Sequence, residues 1–183
     1  MTVHDYLLDP DKPDWPTILA AWRPLLPYEF SIWLMNRFGD LFVVAADHSV
    51  SWVEVAAGTL TLVADNWQDF SRQMDEGTHL EAWLHADLID ELVANGQVLG
   101  PGQCYGLRIG LAQGGTYAAA NTVVRSIPQH FALLAPRPTS TDALAVDDTP
   151  MVVKVDYHPD RPSTVPGPNR PTAPIKVDYG RRS

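Results

Sequence analysis

The sequence predicts an α+β fold in which an antiparallel β-meander sheet packs against several helices and a Pro-rich C-terminal tail follows. Three observations carry this expectation. Residues 28–63 divide into four short runs rich in β-branched and aromatic residues, separated by a few turn-forming residues each; connections that short join antiparallel neighbours. Residues 66–95 place apolar side chains at helical spacing. Nine of the 16 prolines lie between Pro136 and Pro174 inclusive, a density incompatible with a packed helix or a central strand.

In chain order, Asp14 to Arg23 reads as a short helix, with an acid ahead of it, Pro16 in its first turn and Ile18, Leu19 and Trp22 at helical spacing. Pro24 and Pro27 end it. The runs YEFSIWLM, DLFVVAA, VSWVEV and TLTLV follow, with turns expected at Asp47-His48-Ser49 and Ala57-Gly58. The meander is expected to bury one face, with Phe42, Val44, Trp52 and Leu62 as candidate core positions. A helix opens at Asn66, capped by Asp65 or Asn66, with Asp69 near the acid position of a capping box and Trp67, Phe70 and Met74 on one stripe.

A second helical region spans His79 to Asn95 and stops at Gly96, where a left-handed residue is expected. Leu88, Ile89, Leu92 and Val93 face one way, Asp87, Asp90 and Glu91 the other. The segment VLGPGQCYGLRIGLAQGG at 98–115 then forms a turn-and-strand element, Asn121 to Ile127 a strand, and Pro128 opens a short helix, PQHFALLA. One α+β domain over residues 1–136 and a Pro-rich extension over 137–183 are the expected organisation. The extension repeats itself: Lys-Val-Asp-Tyr occurs in VVKVDYHPDR at 152–161 and in PIKVDYGRR at 174–182. Such alternating segments can pair with each other or add to an exposed sheet edge; terminal position and composition favour a mobile or loosely docked tail.

Charge divides the chain. Residues 1–150 hold 19 acids against 7 bases, giving −12, while 151–183 hold 3 against 6, giving +3. Phosphate binding depends on Lys and Arg displacing counterions, so the acidic domain is a poor candidate for direct nucleic-acid contact and a better one for a basic protein. No apolar run approaches the roughly 20 residues that span a bilayer, the N-terminus lacks a signal-peptide core, and one cysteine forms no internal disulfide. No membrane association and a cytoplasmic location are expected.

Several constellations invite chemistry and fail on spacing. Cys104 lies beside Tyr105 in a glycine-rich setting, but none of the six histidines stands at a recognisable spacing to it, and a small buried strand cysteine is the simpler expectation. His79 and His85 are six apart, wrong for two ligands on one helix face, and read as surface residues. Asp47-His48-Ser49 is a turn, because adjacent residues cannot adopt triad geometry. Gly100, Gly102 and Gly106 match no phosphate loop, and Pro101 removes an N–H donor. No cofactor or metal site is expected. The acidic set Asp75, Glu76, Glu81, Asp87, Asp90 and Glu91 remains as a candidate surface for a basic protein partner, although acids at helix starts also complement the dipole.

Five ordered pieces carry a resemblance: Trp15 with Leu25-Leu26-Pro27; Phe38-Gly39-Asp40-Leu41-Phe42; Trp67 to Phe70; Leu99 to Gly106; and Leu111 to Gly115. Over residues 14–136 the chain resembles the type VI secretion DNase-toxin immunity proteins, a C-terminal immunity domain behind a GAD-like N-terminal part. The resemblance implies a non-catalytic protein that binds and neutralises a cognate toxin, a basic nuclease. In related sequences the last helix continues through Gly-Gln-x-His, whereas here HFALLA runs into Pro136-Arg137-Pro138. The alternative class is a housekeeping or regulatory interaction module without a toxin partner.

Overall fold

The computed structural model describes residues 3–77, 79–136 and 151–156. Its main sheet contains β1 (Leu7–Leu8), β2 (Glu29–Asn36), β3 (Leu41–Ala45), β4 (Val50–Glu54), β5 (Thr59–Ala64) and, late in the chain, β8 (Val152–Val155); β6 (Gln103–Leu107) and β7 (Thr122–Ser126) pair antiparallel with each other. The helices are α1 (Trp15–Ile18), α2 (Trp67–Asp75), α3 (Leu80–Leu84), α4 (Ala86–Ala94) and α5 (Ile127–Leu134). The fold is α+β, as the sequence predicts.

β2 to β5 form the meander, each strand antiparallel to the next. Both predicted turns form. Asp47 accepts hydrogen bonds from the backbone N–H and the hydroxyl of Ser49, an Asx arrangement that holds His48 at φ +70°. Gly58, at φ +67°, closes the β4–β5 turn.

The expectation of a single buried face is corrected. Successive residues of β3 alternate between two cores: Leu41 and Val43 join Ile32, Met35, Val53 and Val55 on one side, while Phe42 joins Val50 and Ala64 on the other. Helices cover both faces, so strands that read as alternating runs are apolar on both sides. The first side carries α1, the 3-10 turn Ala20–Trp22 and α5, locked by Trp15 and Trp22 packing edge-on to Phe131 and by the Trp22 indole N–H donating to the Phe131 carbonyl. The second carries α2, α3 and α4 through Phe70, Met74, Trp83, Leu84, Ile89 and Leu92.

Of the four candidate core residues, Phe42 is buried, Val44 and Trp52 are half-buried, and Leu62 is 59% exposed. Leu62 lies opposite Ser51 on the outermost strand of the meander. On its side of the sheet α1 packs against β8, which pairs with β2 at the far end of the meander from β5.

The start of α2 follows the sequence, whereas α5 opens at Ile127, one residue before the expected Pro128, and the expected helix from Asp14 to Arg23 is divided into α1 and the 3-10 turn Ala20–Trp22. Asn66 caps α2, its side chain accepting from the Asp69 N–H, and Ser126 caps α5 by accepting from the Gln129 N–H. The region from His79 to Asn95 is two helices, divided at His85 with φ +53°. Gly96, at φ +78°, terminates α4 with its N–H on Val93 and that of Gln97 on Leu92.

Val152–Val155, in the first of the two copies, adds to a sheet edge. β8 pairs in parallel with the first half of β2, while β1 pairs antiparallel with the last two residues of the same strand. The second copy, at 174–182, lies outside the described residues.

Candidate functional site

All six acids singled out in the sequence are exposed, on or beside consecutive helices. Three are engaged within the chain. Glu76 pairs with Arg72 at 3.0 Å, and Arg72 also binds Asp69. The carboxylate of Glu81 accepts from the Asp87 N–H at 2.9 Å, bridging from α3 to the first turn of α4 where His85 offers no side-chain cap. Asp90 accepts from the Tyr6 hydroxyl at 3.3 Å. Asp75, Asp87 and Glu91 have no side-chain partner among the described residues. Residues 64–95 together carry eight carboxylates and one base, Arg72.

A shallow surface groove runs along the outer side of α2, lined by Trp67, Gln68, Ser71, Arg72, Asp75 and Glu76. It sets an indole beside two of the predicted carboxylates. The sequence places Trp67 on the Phe70–Met74 stripe, but only Phe70 and Met74 are buried and Trp67 remains half-exposed.

A second constellation is buried, and sequence reasoning missed it. Asn36, at the end of β2, accepts from the N–H groups of Phe38 and Asp40, each at 2.9 Å, and donates to the Asp40 carboxyl and the Trp83 carbonyl, each at 2.8 Å. Asp40 in turn accepts from the Val55 N–H at 2.8 Å. This hub joins the β2–β3 turn to α3 and to the end of β4. Burial pushes the Asp40 carboxyl up to about 7, against the opposing pull of its Asn36 and Val55 donors. Phe38 packs edge-on against His85 and Tyr117, which stack on each other at 4.0 Å, and Tyr117 donates to Glu54.

The structure also corrects the treatment of two histidines. His85 is 8% exposed instead of lying on the surface; burial pulls its imidazole down to about 4. His130, 1% exposed, stands beside Cys104 although no spacing marks it: a Cβ on Gly39 would lie 3.0 Å from the His130 ring and 3.6 Å from the Cys104 sulfur, and one on Gly106 would lie 2.9 Å from His130 Nδ1. Burial, aided by Arg125, lowers His130 to about 4 as well. The glycines of two quoted motifs are thus the space that this imidazole fills. The pairing is not a catalytic dyad. Cys104 is 0% exposed, and burial, reinforced by the charge of Asp40, pushes its thiol up to about 12, the reverse of what activates a sulfur nucleophile.

Among the described residues, no group of three or more His, Cys, Asp or Glu is placed to hold a metal ion, and no helix is long and apolar enough to cross a membrane.

The elements from the end of β5 through α5, which carry the acidic helices and the glycine-framed histidine, coincide with the stretch that one family model matches. Residues 64–136 match T6SS immunity protein Tdi1, C-terminal. No curated protein and no solved structure matches the chain. The similarity to the type VI secretion immunity proteins covers 73 of the 183 residues and is confined to this segment. Within it fall all six predicted acids and the groove along α2, whereas the meander from β1 to Val63 precedes it.

Proposed function

We propose that this protein is a non-catalytic immunity protein that binds and neutralises a cognate type VI secretion toxin, and that the toxin is a basic nuclease. The match over residues 64–136 carries the immunity reading. The basic partner is inferred from the same residues: the segment 64–95, which holds α2, α3 and α4, carries eight carboxylates against one base, and that base is already paired with Asp69 and Glu76. A field of one sign steers an oppositely charged protein into orientation and raises its association rate. Trp67, beside Asp75 and Glu76 in the α2 groove, supplies the kind of half-exposed aromatic that concentrates binding energy when a partner excludes water from it. In this reading the surface occupies the toxin's cationic substrate channel, and direct contact of this chain with nucleic acid plays no part.

The test is co-expression of this chain with the toxin encoded beside it, together with a DNA-cleavage assay on the purified pair. Survival only when both are present, and loss of cleavage at one equivalent, are the expected results. Killing that persists despite stable co-expression rejects the immunity function, while protection against a toxin that cleaves no nucleic acid rejects only the nuclease assignment.

A further inference from the structure

β8 fills a strand site on β2 whose requirements are legible residue by residue. The parallel register sets Glu29, Phe30, Ser31 and Ile32 opposite Val152, Val153, Lys154 and Val155. At the entrance the Val152 N–H donates to the Tyr28 carbonyl at 3.0 Å, and at the exit the Asp156 N–H donates to the Ile32 carbonyl at 2.9 Å. Val153, 5% exposed, is buried in the core formed with Trp15, Phe30 and Phe131, and Val155 packs against the same cluster. The Lys154 ammonium lies 2.6 Å from the Glu29 carboxylate. β1 covers the other half of this edge, opposite Met35 and Asn36, so the site is a short, bounded slot. It accepts an apolar residue, a lysine and a second apolar residue in succession.

The chain supplies that pattern twice. Aligned on Lys-Val-Asp-Tyr, the second copy sets Ile175 at the position of Val153, Lys176 at Lys154, Val177 at Val155 and Asp178 at Asp156. A β-branched apolar residue is kept at the buried position, the cation that meets Glu29 is kept, and the closing N–H is kept. Only the entrance differs. Pro174 replaces Val152 and has no N–H for the Tyr28 carbonyl, which makes the first copy the preferred occupant. The 17 residues between Asp156 and Pro174 reach about 55 Å when extended, several times the length of the slot.

We propose that this edge of β2 is a strand-recognition site with two alternative occupants in one molecule, and that residues 174–178 enter it when Val152–Val155 leaves. The displaced strand then offers its own apolar-Lys-Val pattern to other sheet edges. The proposal is independent of the toxin.

Hydrogen exchange on the full-length protein tests it, read at the β2 amides that face β8. V153D removes the buried anchor of the first copy and I175D that of the second. Replacement by the second copy predicts that V153D lowers protection less than tenfold, that I175D changes nothing, and that the double variant loses at least a hundredfold. Equal loss in V153D and in the double variant overturns the proposal. Should V153D fail to fold, mild oxidation of S31C/K176C in the otherwise native chain gives a second measurement, since adjacent strands bring Cα atoms within disulfide range. An intramolecular bond is expected, with S31C/K154C as the reference pair. A bond in the reference pair alone, or only between molecules, overturns it.

Discussion

Gly115 has no room for a side chain: a Cβ there would lie 1.9 Å from the carbonyl oxygen of Ile109. Gly115→Ala is expected to cost on the order of 3 kcal/mol, because a backbone atom cannot step aside as a side chain can. Gly96→Ala, at φ +78° with nothing within 4 Å of the new atom, carries only left-handed strain, about 1 kcal/mol; urea denaturation separates the two. Three buried titrating groups set the pH response. His85 and His130 are pulled from 6.5 to about 4, and Asp40 is raised from 3.8 to about 7. Between these histidine values the unfolded chain protonates two imidazoles that the fold keeps neutral, whereas the fold retains one proton, on Asp40, that the unfolded chain releases. The excess is about one proton on the unfolded side, so stability rises with pH by roughly 1.4 kcal/mol per unit. Above 6.5 only Asp40 differs, and stability falls as pH rises through its folded value. Denaturation followed from about pH 4.5 to about pH 8.5 is expected to show a maximum near neutrality; a slope twice as steep that levels off above 6.5 with no decline would remove Asp40 from this account.

At the scale of elements, α2 begins where the sequence says it does, because Asn66 satisfies a backbone donor locally, and α5 begins one residue before the expected Pro128, where Ser126 does the same. Asn66→Ala and Ser126→Ala are each expected to lower stability by about 1 kcal/mol, measurable as a fall in Tm. The break between α3 and α4 was not legible in the same way, since neither glycine nor proline marks residue 85. Contacts distant in sequence hold it, with His85 stacked on Tyr117 and packed against Phe38, and a local one supports it, with Glu81 reaching across to the Asp87 N–H. The candidate acids divide accordingly. Glu81 and Asp90 hold other elements, whereas Asp87 and Glu91 do not, so the double change Asp87→Lys, Glu91→Lys tests the partner surface without dismantling it. Association with a basic toxin is expected to slow about tenfold at low salt and to converge with the parent at high salt. Equal rates at low salt would leave these carboxylates as ordinary helix surface.

For the whole molecule, a sheet covered on both faces means that the late strand β8 belongs to the same core as α1 and α5. A chain ending at Pro136 loses the burial of Val153 and uncovers the first half of β2. It is expected to be less stable by about 2 kcal/mol, the worth of one buried aliphatic side chain, as read from thermal unfolding; an unchanged Tm would show that the strand contributes nothing to the core. The acidic surface lies on the other side of the sheet from this strand, because α2, α3 and α4 pack on the core containing Phe42 and Phe70. The proposed partner surface and the proposed exchange of the edge strand therefore involve different faces.

The sequence alone determined the meander, its turns, the ends of α2 and α4 at Asn66 and Gly96, the acidic helical region and the burial of Cys104, because each follows from periodicity, turn chemistry or charge within a few residues. It also carried the family resemblance in the glycine motifs, but not the reason for them. Only the tertiary structure showed that Gly39 and Gly106 frame His130, that Asn36 and Asp40 tie three elements together, that Leu62 stays outside, and that the first Lys-Val-Asp segment completes the sheet. These features depend on which surfaces meet across tens of residues, and packing of that range leaves no local period in the chain.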